Sequence, residues 1–246
     1  MDRMLYVAMS GARETFLAQA ANNNNLANAN TPGFLADLQQ FRSMPVFGDG
    51  HPTRVFALSE RPGIDFKHGS LAHTGRSLDV AINGEGFFTV QAADGSEAYT
   101  RRGDLMVDVN GMLTTGNGLP LMGNGGPIAI PPAEKIEVAP DGTISIRPLG
   151  QAANELAVID RIKMVNPDLT LLRKGRDGLL SQENGEALPA DAAVQLATGT
   201  IESSNVNVVD VMVDMIELSR RYEFQVKMMK AAEEMGRAST SIMKMT

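Results

Sequence analysis

The stretch Val208-Val209-Asp210-Val211-Met212-Val213-Asp214-Met215-Ile216-Glu217-Leu218-Ser219-Arg220-Arg221-Tyr222-Glu223-Phe224-Gln225-Val226-Lys227-Met228-Met229 decides how the rest of the chain is read. It contains neither glycine nor proline. Val208, Val211, Met215, Leu218 and Tyr222 step by three and four residues; the pattern skips Gln225 and resumes at Met229 and Ala232. That is a heptad seam with one polar break. Glu217–Arg221, Glu223–Lys227 and Glu233–Arg237 each place an acid four residues before a base, which adds ~0.3 kcal/mol apiece to a helix. The spacing predicts one long amphipathic helix within 205–243, of some 35 residues and roughly 50 Å at 1.5 Å per residue.

The other end of the chain offers it a partner. Leu5, Met9, Ala12, Phe16 and Ala20 step by four, three, four and four, the spacing of one helix face within 4–30. The run Asn22-Asn23-Asn24-Asn25 consists of poor helix formers. It reads either as a frayed helix end or as a row of amides that hydrogen-bond across a subunit contact. Thr31-Pro32-Gly33 stops the helix, because proline lacks a donor and disfavours helix in the residue before it. Methionines at helical spacing (Met212, Met215, Met228, Met229, Met235) are ordinarily core filler. Here the partner helix is the shorter one, so much of that stripe is expected to face other chains.

Between the helices the pattern changes to turns and short β-branched runs. Asn-Gly pairs begin at 83, 110, 117, 124 and 184 and Asp-Gly pairs at 49, 94, 141 and 177. Both central residues of the tight hairpin turn need positive φ, which these pairs supply. Leu78-Asp79-Val80-Ala81-Ile82, the turn Asn83-Gly84-Glu85-Gly86 and Phe87-Phe88-Thr89-Val90 read as one hairpin. Gly142-Thr143-Ile144-Ser145-Ile146 is another short strand, and no solenoid or blade period recurs. The fold class predicted is α+β: long terminal helices paired as a coiled-coil-like arm around an all-β central domain. The expected divisions are an N-terminal helix in 1–34, an extended connector with one or two short strands in 35–77, the β domain in 78–199 and a C-terminal helix in 200–246.

Composition narrows the function. A net charge of −7 with no block of Lys or Arg argues against nucleic acid, which needs a dense basic face. The chain has no cysteine, so disulfides, thiolate metal sites and thiol catalysis are excluded. The first residues carry an apolar run of only six (4–9), too short for a secretory signal or a membrane span. Export, if it occurs, is expected without a cleaved signal peptide, and no membrane insertion is expected. The mixed charge of the C-terminal helix also argues against a membrane-surface role.

No catalytic constellation emerges. His51, His68 and His73 read as solvated loop histidines. The run Gly116-Asn117-Gly118 to Gly123-Asn124-Gly125-Gly126-Pro127 resembles a phosphate loop in composition only, lacking the Lys-Ser/Thr ending. The sequence has no nucleophile elbow and no calcium loop, and its acids are spread out. No enzyme, metal or cofactor is expected.

Four motifs in chain order are specific. Ala21-Asn22-Asn23-Asn24-Asn25-Leu26-Ala27-Asn28-Ala29-Asn30-Thr31-Pro32-Gly33-Phe34 resembles the N-terminal signature of the flagellar rod and hook protein family. Leu78-Asp79-Val80-Ala81-Ile82-Asn83-Gly84-Glu85-Gly86-Phe87-Phe88 and Tyr99-Thr100-Arg101-Arg102-Gly103 resemble its central motifs. Gly199-Thr200-Ile201-Glu202-Ser203-Ser204-Asn205-Val206, followed by Arg220-Arg221-Tyr222-Glu223, resembles its C-terminal pair. The opening Met1-Asp2-Arg3-Met4-Leu5-Tyr6 and the length resemble the proximal rod branch more than the distal rod or hook branches. The quadruple Asn lengthens the family's usual pair, Leu35 stands where relatives often carry Lys or Arg, and Ile201 replaces a usual Leu.

The resemblance implies that the terminal helices pack side by side and line a hollow axial tube with the β domain outside. It implies a structural subunit of the basal-body rod in the periplasm, exported through the flagellar type III apparatus. Its expected partners are other flagellar rod proteins and copies of itself. On that reading the assembly interface comprises Leu5, Met9, Ala12, Phe16, Val208, Val211, Met215, Leu218, Tyr222 and Met229. The family motif falls on Asn24, Asn25, Leu26, Ala27, Asn28, Thr31, Pro32, Gly33 and Phe34, and on Glu202, Ser204, Asn205 and Val206. A rival from another class is an extracellular β-rich binding module with helical oligomerisation arms; the absence of Trp and the presence of three Tyr count against it.

Overall fold

Asn207 starts the long C-terminal helix. Its side-chain oxygen accepts the N–H of Val209 at 3.0 Å, its amide donates to Asp210 at 2.8 Å, and its carbonyl takes the first helical N–H, from Val211. Asp210 in the first turn favours the same end of the helix dipole. The computed structural model describes residues 4–45, 55–60, 63–150, 156–175 and 177–244. These form two units, one of 1–29, 36–65 and 206–246, the other of 30–35 and 66–205.

The first unit holds helix α1 (Met4–Ala27), a hairpin of β1 (Gln40–Pro45) and β2 (Val55–Glu60), and helix α2 (Val208–Lys244). α1 packs on α2 and on β2. α1 runs straight through the asparagine run to Ala27, so that run is not a frayed end. Its buried residues are Ala8, Gly11, Ala12, Thr15, Ala18, Asn22 and Asn25. Small side chains at spacings of three and four let two backbones approach closely, and the Thr15 hydroxyl is satisfied by donating to the Gly11 carbonyl at 2.8 Å.

The second unit is built of β strands and one short 3-10 turn, Leu169–Leu171, capped by Asp168. In chain order its strands are β3 (Leu71–His73), β4 (Val80–Asn83), β5 (Phe87–Gln91), β6 (Glu97–Thr100), β7 (Leu105–Val107), β8 (Leu113–Thr115), β9 (Met122–Gly123) and β10 (Gly126–Pro127). Then come β11 (Ala133–Val138), β12 (Thr143–Pro148), β13 (Ala157–Arg161), β14 (Met164–Val165), β15 (Leu172–Lys174), β16 (Leu180–Gln182), β17 (Gln195–Thr198) and β18 (Thr200–Glu202). The largest sheet has the order β14-β5-β6-β16-β15, a second has β11-β12-β13, and β4, β3, β7 and β9 pair with β17, β18, β8 and β10. Val80, Ile82, Phe88, Val90, Leu105, Leu113, Leu121, Ile144, Ile146 and Met164 fill a continuous core.

The turn dipeptides act unevenly. Asp94-Gly95, Asn110-Gly111, Asn124-Gly125, Asp141-Gly142 and Asp177-Gly178 each join consecutive paired strands. In two of them an aspartate anchors the turn: the Ser96 hydroxyl and N–H hold Asp94 below its ordinary pKa, and the Thr143 N–H and hydroxyl do the same for Asp141. The expected hairpin at Asn83-Gly84 is not formed. β4 pairs with β17, and β5 pairs with β6 and β14. The carbonyls of that turn are taken instead by a buried guanidinium, described below. His73 lies exposed on β3 rather than in a loop, and His51 falls outside the described residues.

Candidate functional site: a two-faced helix pair and a hydrogen-bonded chain crossing

α2 buries Val211 and Leu218, and Met215, Gln225, Met229 and Ala232 are half-buried. With Tyr222 these steps run four, three, four, three, four and three. Gln225 therefore fills the seam instead of breaking it. Its amide lies over Gly11, where a Cβ would come within 2.9 Å of the side-chain nitrogen. One turn from the helix start, Asn22 donates to the Val211 carbonyl at 2.8 Å. These two contacts fix the helices antiparallel. Asn25 closes the other side by donating to the Asp37 carbonyl and accepting the Asp37 N–H, both at 2.9 Å. The amide thus mimics one rung of a sheet, and both buried asparagines work within the chain.

The face of α1 marked by large apolar residues is not the one buried. Of Leu5, Met9, Ala12 and Phe16, only Ala12 is buried. A hydrophobicity pattern selects the large side chains; close helix approach selects the small ones. Outward, α1 presents Tyr6 and Phe16, both 62% exposed, with Met9 and Leu17. α2 does likewise with Val209, Met212, Val213, Ile216 (56%) and Phe224 (63%). Val208 and Tyr222 are also exposed. α1 and the first part of α2, over 209–216, are therefore apolar on the side turned away from their own seam. Between them Gly11, Thr15, Glu217, Arg220, Arg221, Phe224 and Gln225 line an open groove of about 420 Å³. Glu217 pairs with Arg221 and Glu233 with Arg237, as spaced; Glu223 and Lys227 do not form an ion pair.

In the second unit the motif residues meet at one place. The chain passes between units at 29/30, 35/36, 65/66 and 205/206. The Gly33 N–H donates to the Glu202 carbonyl at 2.8 Å, and the Asn205 N–H to the Phe34 carbonyl at 3.2 Å. The Asn205 side chain reaches the Lys67 carbonyl at 2.9 Å, and the Gly69 N–H donates to Glu202 Oε1 at 3.0 Å. Gly33 sits at φ +66°, where a Cβ would lie 2.4 Å from the Arg101 backbone carbon, so only glycine fits the motif here. Phe34 is buried under the Lys174 ammonium, 3.9 Å above its ring, and that ammonium also donates to the Leu35 carbonyl at 2.6 Å.

Arg101 and Glu202 form the centre. Both are buried, with Nε to Oε2 at 2.6 Å. The remaining guanidinium donors go to the carbonyls of Gly86 at 2.8 Å and Gly84 at 3.0 Å. A desolvated pair persists only when its other valences are filled, and here they are. His68 stands at the rim, 3.9 Å from Glu202. Thr31, Pro32 and Ser204 are half-buried around the crossing; in the first unit Val206 is half-buried ahead of α2, Leu26 and Asn28 are half-buried at the end of α1, and Asn24 and Ala27 are exposed there. Arg101, Lys174 and Gly69 escaped the sequence reading as members of this site; the Arg-Arg-Gly motif signalled the first of them. Among the described residues no cluster of His, Cys, Asp or Glu is placed to hold a metal, and no helix is long and apolar enough to cross a membrane.

The sequence matches known proteins along its length. Residues 81–146 match the family model of the flagellar hook protein FlgE/F/G D1 domain, and 197–242 match that of the flagellar basal body rod FlgEFG protein C-terminal region. The flagellar basal-body rod protein FlgF of Escherichia coli K12 is 43% identical, over 97% of this chain and 98% of the relative. The chain belongs to the flagellar basal-body rod protein family. Its FlgF-like character is repeated in the proteins of that name from Salmonella typhimurium, 41% identical over 97% of this chain and 98% of the relative, and Caulobacter vibrioides, 34% identical over 97% of both. A rod protein of this family is a structural component of the basal body. The two matched segments correspond to the part of the β unit from β4 to β12 and to the last β strands with α2.

Proposed function

We infer that this rod protein joins copies of itself and neighbouring rod subunits through the outward faces of α1 and α2, at a proximal position in the rod. The observation that carries this is the inverted helix pair. Large apolar side chains (Tyr6, Met9, Phe16, Leu17, Val213, Ile216, Phe224) stand exposed, while small residues of α1 pack with Val211, Met215 and Leu218 of α2 in the internal seam. Covering one such side chain contributes about 1.5–3 kcal/mol, and a contiguous apolar stripe of this size marks an interaction surface. Heterologous contacts that do not close generate a helical filament, hence a tube lined by helices. The two internal seams, each stepping by three and four, support a coiled-coil-like pairing as the arm that carries this face. Travel through the type III export apparatus without a cleaved signal, to a periplasmic position, goes with the same reading. The interface set read from the spacing is retained in a divided role. Leu5, Met9, Phe16 and Val208 contact other chains, Ala12, Val211, Met215, Leu218 and Met229 hold the pair together, and Tyr222, in the seam register yet 40% exposed, serves both.

The test is mass spectrometry on purified hook–basal bodies before and after the hook is stripped away. The chain is expected to persist with the stripped rod and to be lost with the proximal components when the rod is dissociated stepwise. Its absence from basal bodies, with the protein found in the periplasm or culture fluid, would return the binding-module reading to the front.

A further inference from the structure

The charges on the helix pair are sorted along its length. The first third of α2 carries Asp210, Asp214 and Glu217 and no base. The α1 residues alongside it, 18–27, carry no charge, and the Asn22–Val211 bond fixes that level. From Arg220 onward α2 has six bases (Arg220, Arg221, Lys227, Lys230, Arg237, Lys244) against three acids (Glu223, Glu233, Glu234). The acids at 210, 214 and 217 follow steps of four and three on one stripe. Arg220, Lys227 and Lys230 follow steps of seven and three on another, roughly a third of a turn round the helix. All six side chains are exposed. Among the described residues Asp214, Arg220, Lys227 and Lys230 form no ion pair.

A surface with an apolar stripe, an acidic end and a basic end on different faces is complementary to a displaced copy of itself and repels an undisplaced one. We propose that neighbouring copies dock in parallel with an axial offset of about 13 residues, Lys227 and Lys230 of one copy lying level with Asp214 and Glu217 of the next. The offset is about 20 Å at 1.5 Å per residue. It leaves the apolar stripe over Val209–Ile216 to be covered by the lower half of the neighbour. It also makes the contact head-to-tail, which gives the growing polymer a direction. Glu223 comes level with Asp210, whose carboxylate already accepts the Asn207 amide, and the two occupy different faces. This inference rests on the reading that copies meet through the outward helix faces.

Zero-length carbodiimide coupling of purified basal bodies, followed by peptide mass spectrometry, reads the offset directly. On one helix these groups lie about 15 to 24 Å apart, beyond the reach of a zero-length link, so any link between 214 or 217 and 227 or 230 joins two copies. Such links are the expected result. Links that join the helices at other levels only, or that tie Lys227 and Lys230 solely to a different rod protein, overturn the offset. Charge reversal supplies the second arm. D214K/E217K and K227E/K230E are each expected to abolish rod assembly and swimming while circular dichroism of the soluble chain is unchanged. All four changes together restore complementarity and are expected to recover assembly; a four-residue variant no better than either pair overturns the proposal. Ile216→Asp separates the two levels of the argument. If it assembles normally, the outward-face reading itself fails; if it blocks assembly while the charge variants do not, only the offset fails.

Discussion

At the residue scale, Arg101 and Glu202 hold the crossing. Removing one partner leaves the other charge buried and unpaired, which costs about 3–5 kcal/mol. Arg101→Met and Glu202→Leu are therefore each expected to lower the urea midpoint of the β unit sharply. The double variant removes both charges but orphans the carbonyls of Gly84 and Gly86 and the Gly69 N–H. It should lie above the sum of the single losses by a coupling of about 1–3 kcal/mol; strictly additive midpoints would mean the two residues act independently. Tyr99 gives a pH prediction in the same unit. Burial pushes its phenol above the ordinary value of 10.0, an effect opposed by the Leu188 N–H that donates to it and assisted by the charge of Glu97. The folded state thus favours the protonated phenol. Its contribution is complete below about pH 10, the unfolded value, and is lost as pH rises through the higher folded one. Unfolding midpoints measured from pH 8 upward should fall more steeply in the natural protein than in Tyr99→Phe, and parallel curves would refute the assignment.

At the element scale, the two faces of the helices make separable predictions. Leu218 sits in the seam, so Leu218→Asp should open the pair and raise amide exchange over 208–232 in the soluble chain. Ile216 and Phe16 point outward, so Ile216→Asp and Phe16→Asp should leave soluble exchange unchanged and stop incorporation into the rod. From Glu233 to Ser241 every side chain is exposed. Those amides should exchange fast in the soluble chain beside core strands such as Phe87–Gln91, and slow only in the assembled rod. Equal protection in both states would mean that this end orders without a partner.

At the scale of the whole molecule, the legible parts are those set by local periodicity. The long helix could be read from 208–229, and five turn dipeptides gave their hairpins. The choice of face on α1 was not legible, because close approach rewards Ala8, Gly11, Thr15 and Ala18, which carry little hydrophobic signal. The frayed-end reading of the asparagine run failed for a related reason: Asn22 and Asn25 are poor helix formers by propensity but gain partners 189 and 12 residues away. Asn83-Gly84 failed as a hairpin because Arg101 satisfies the turn from a distant position, which no short window reveals. The crossing itself was visible only as motifs without a stated contact.

The central claim is that large apolar residues exposed on the helix pair of the soluble chain are covered in the rod. Hydroxyl-radical footprinting of the soluble protein and of purified basal bodies measures this residue by residue. Tyr6, Met9, Phe16, Met212 and Phe224 are expected to label strongly in solution and to be protected in the basal body. Equal labelling of these five in both states would contradict the account.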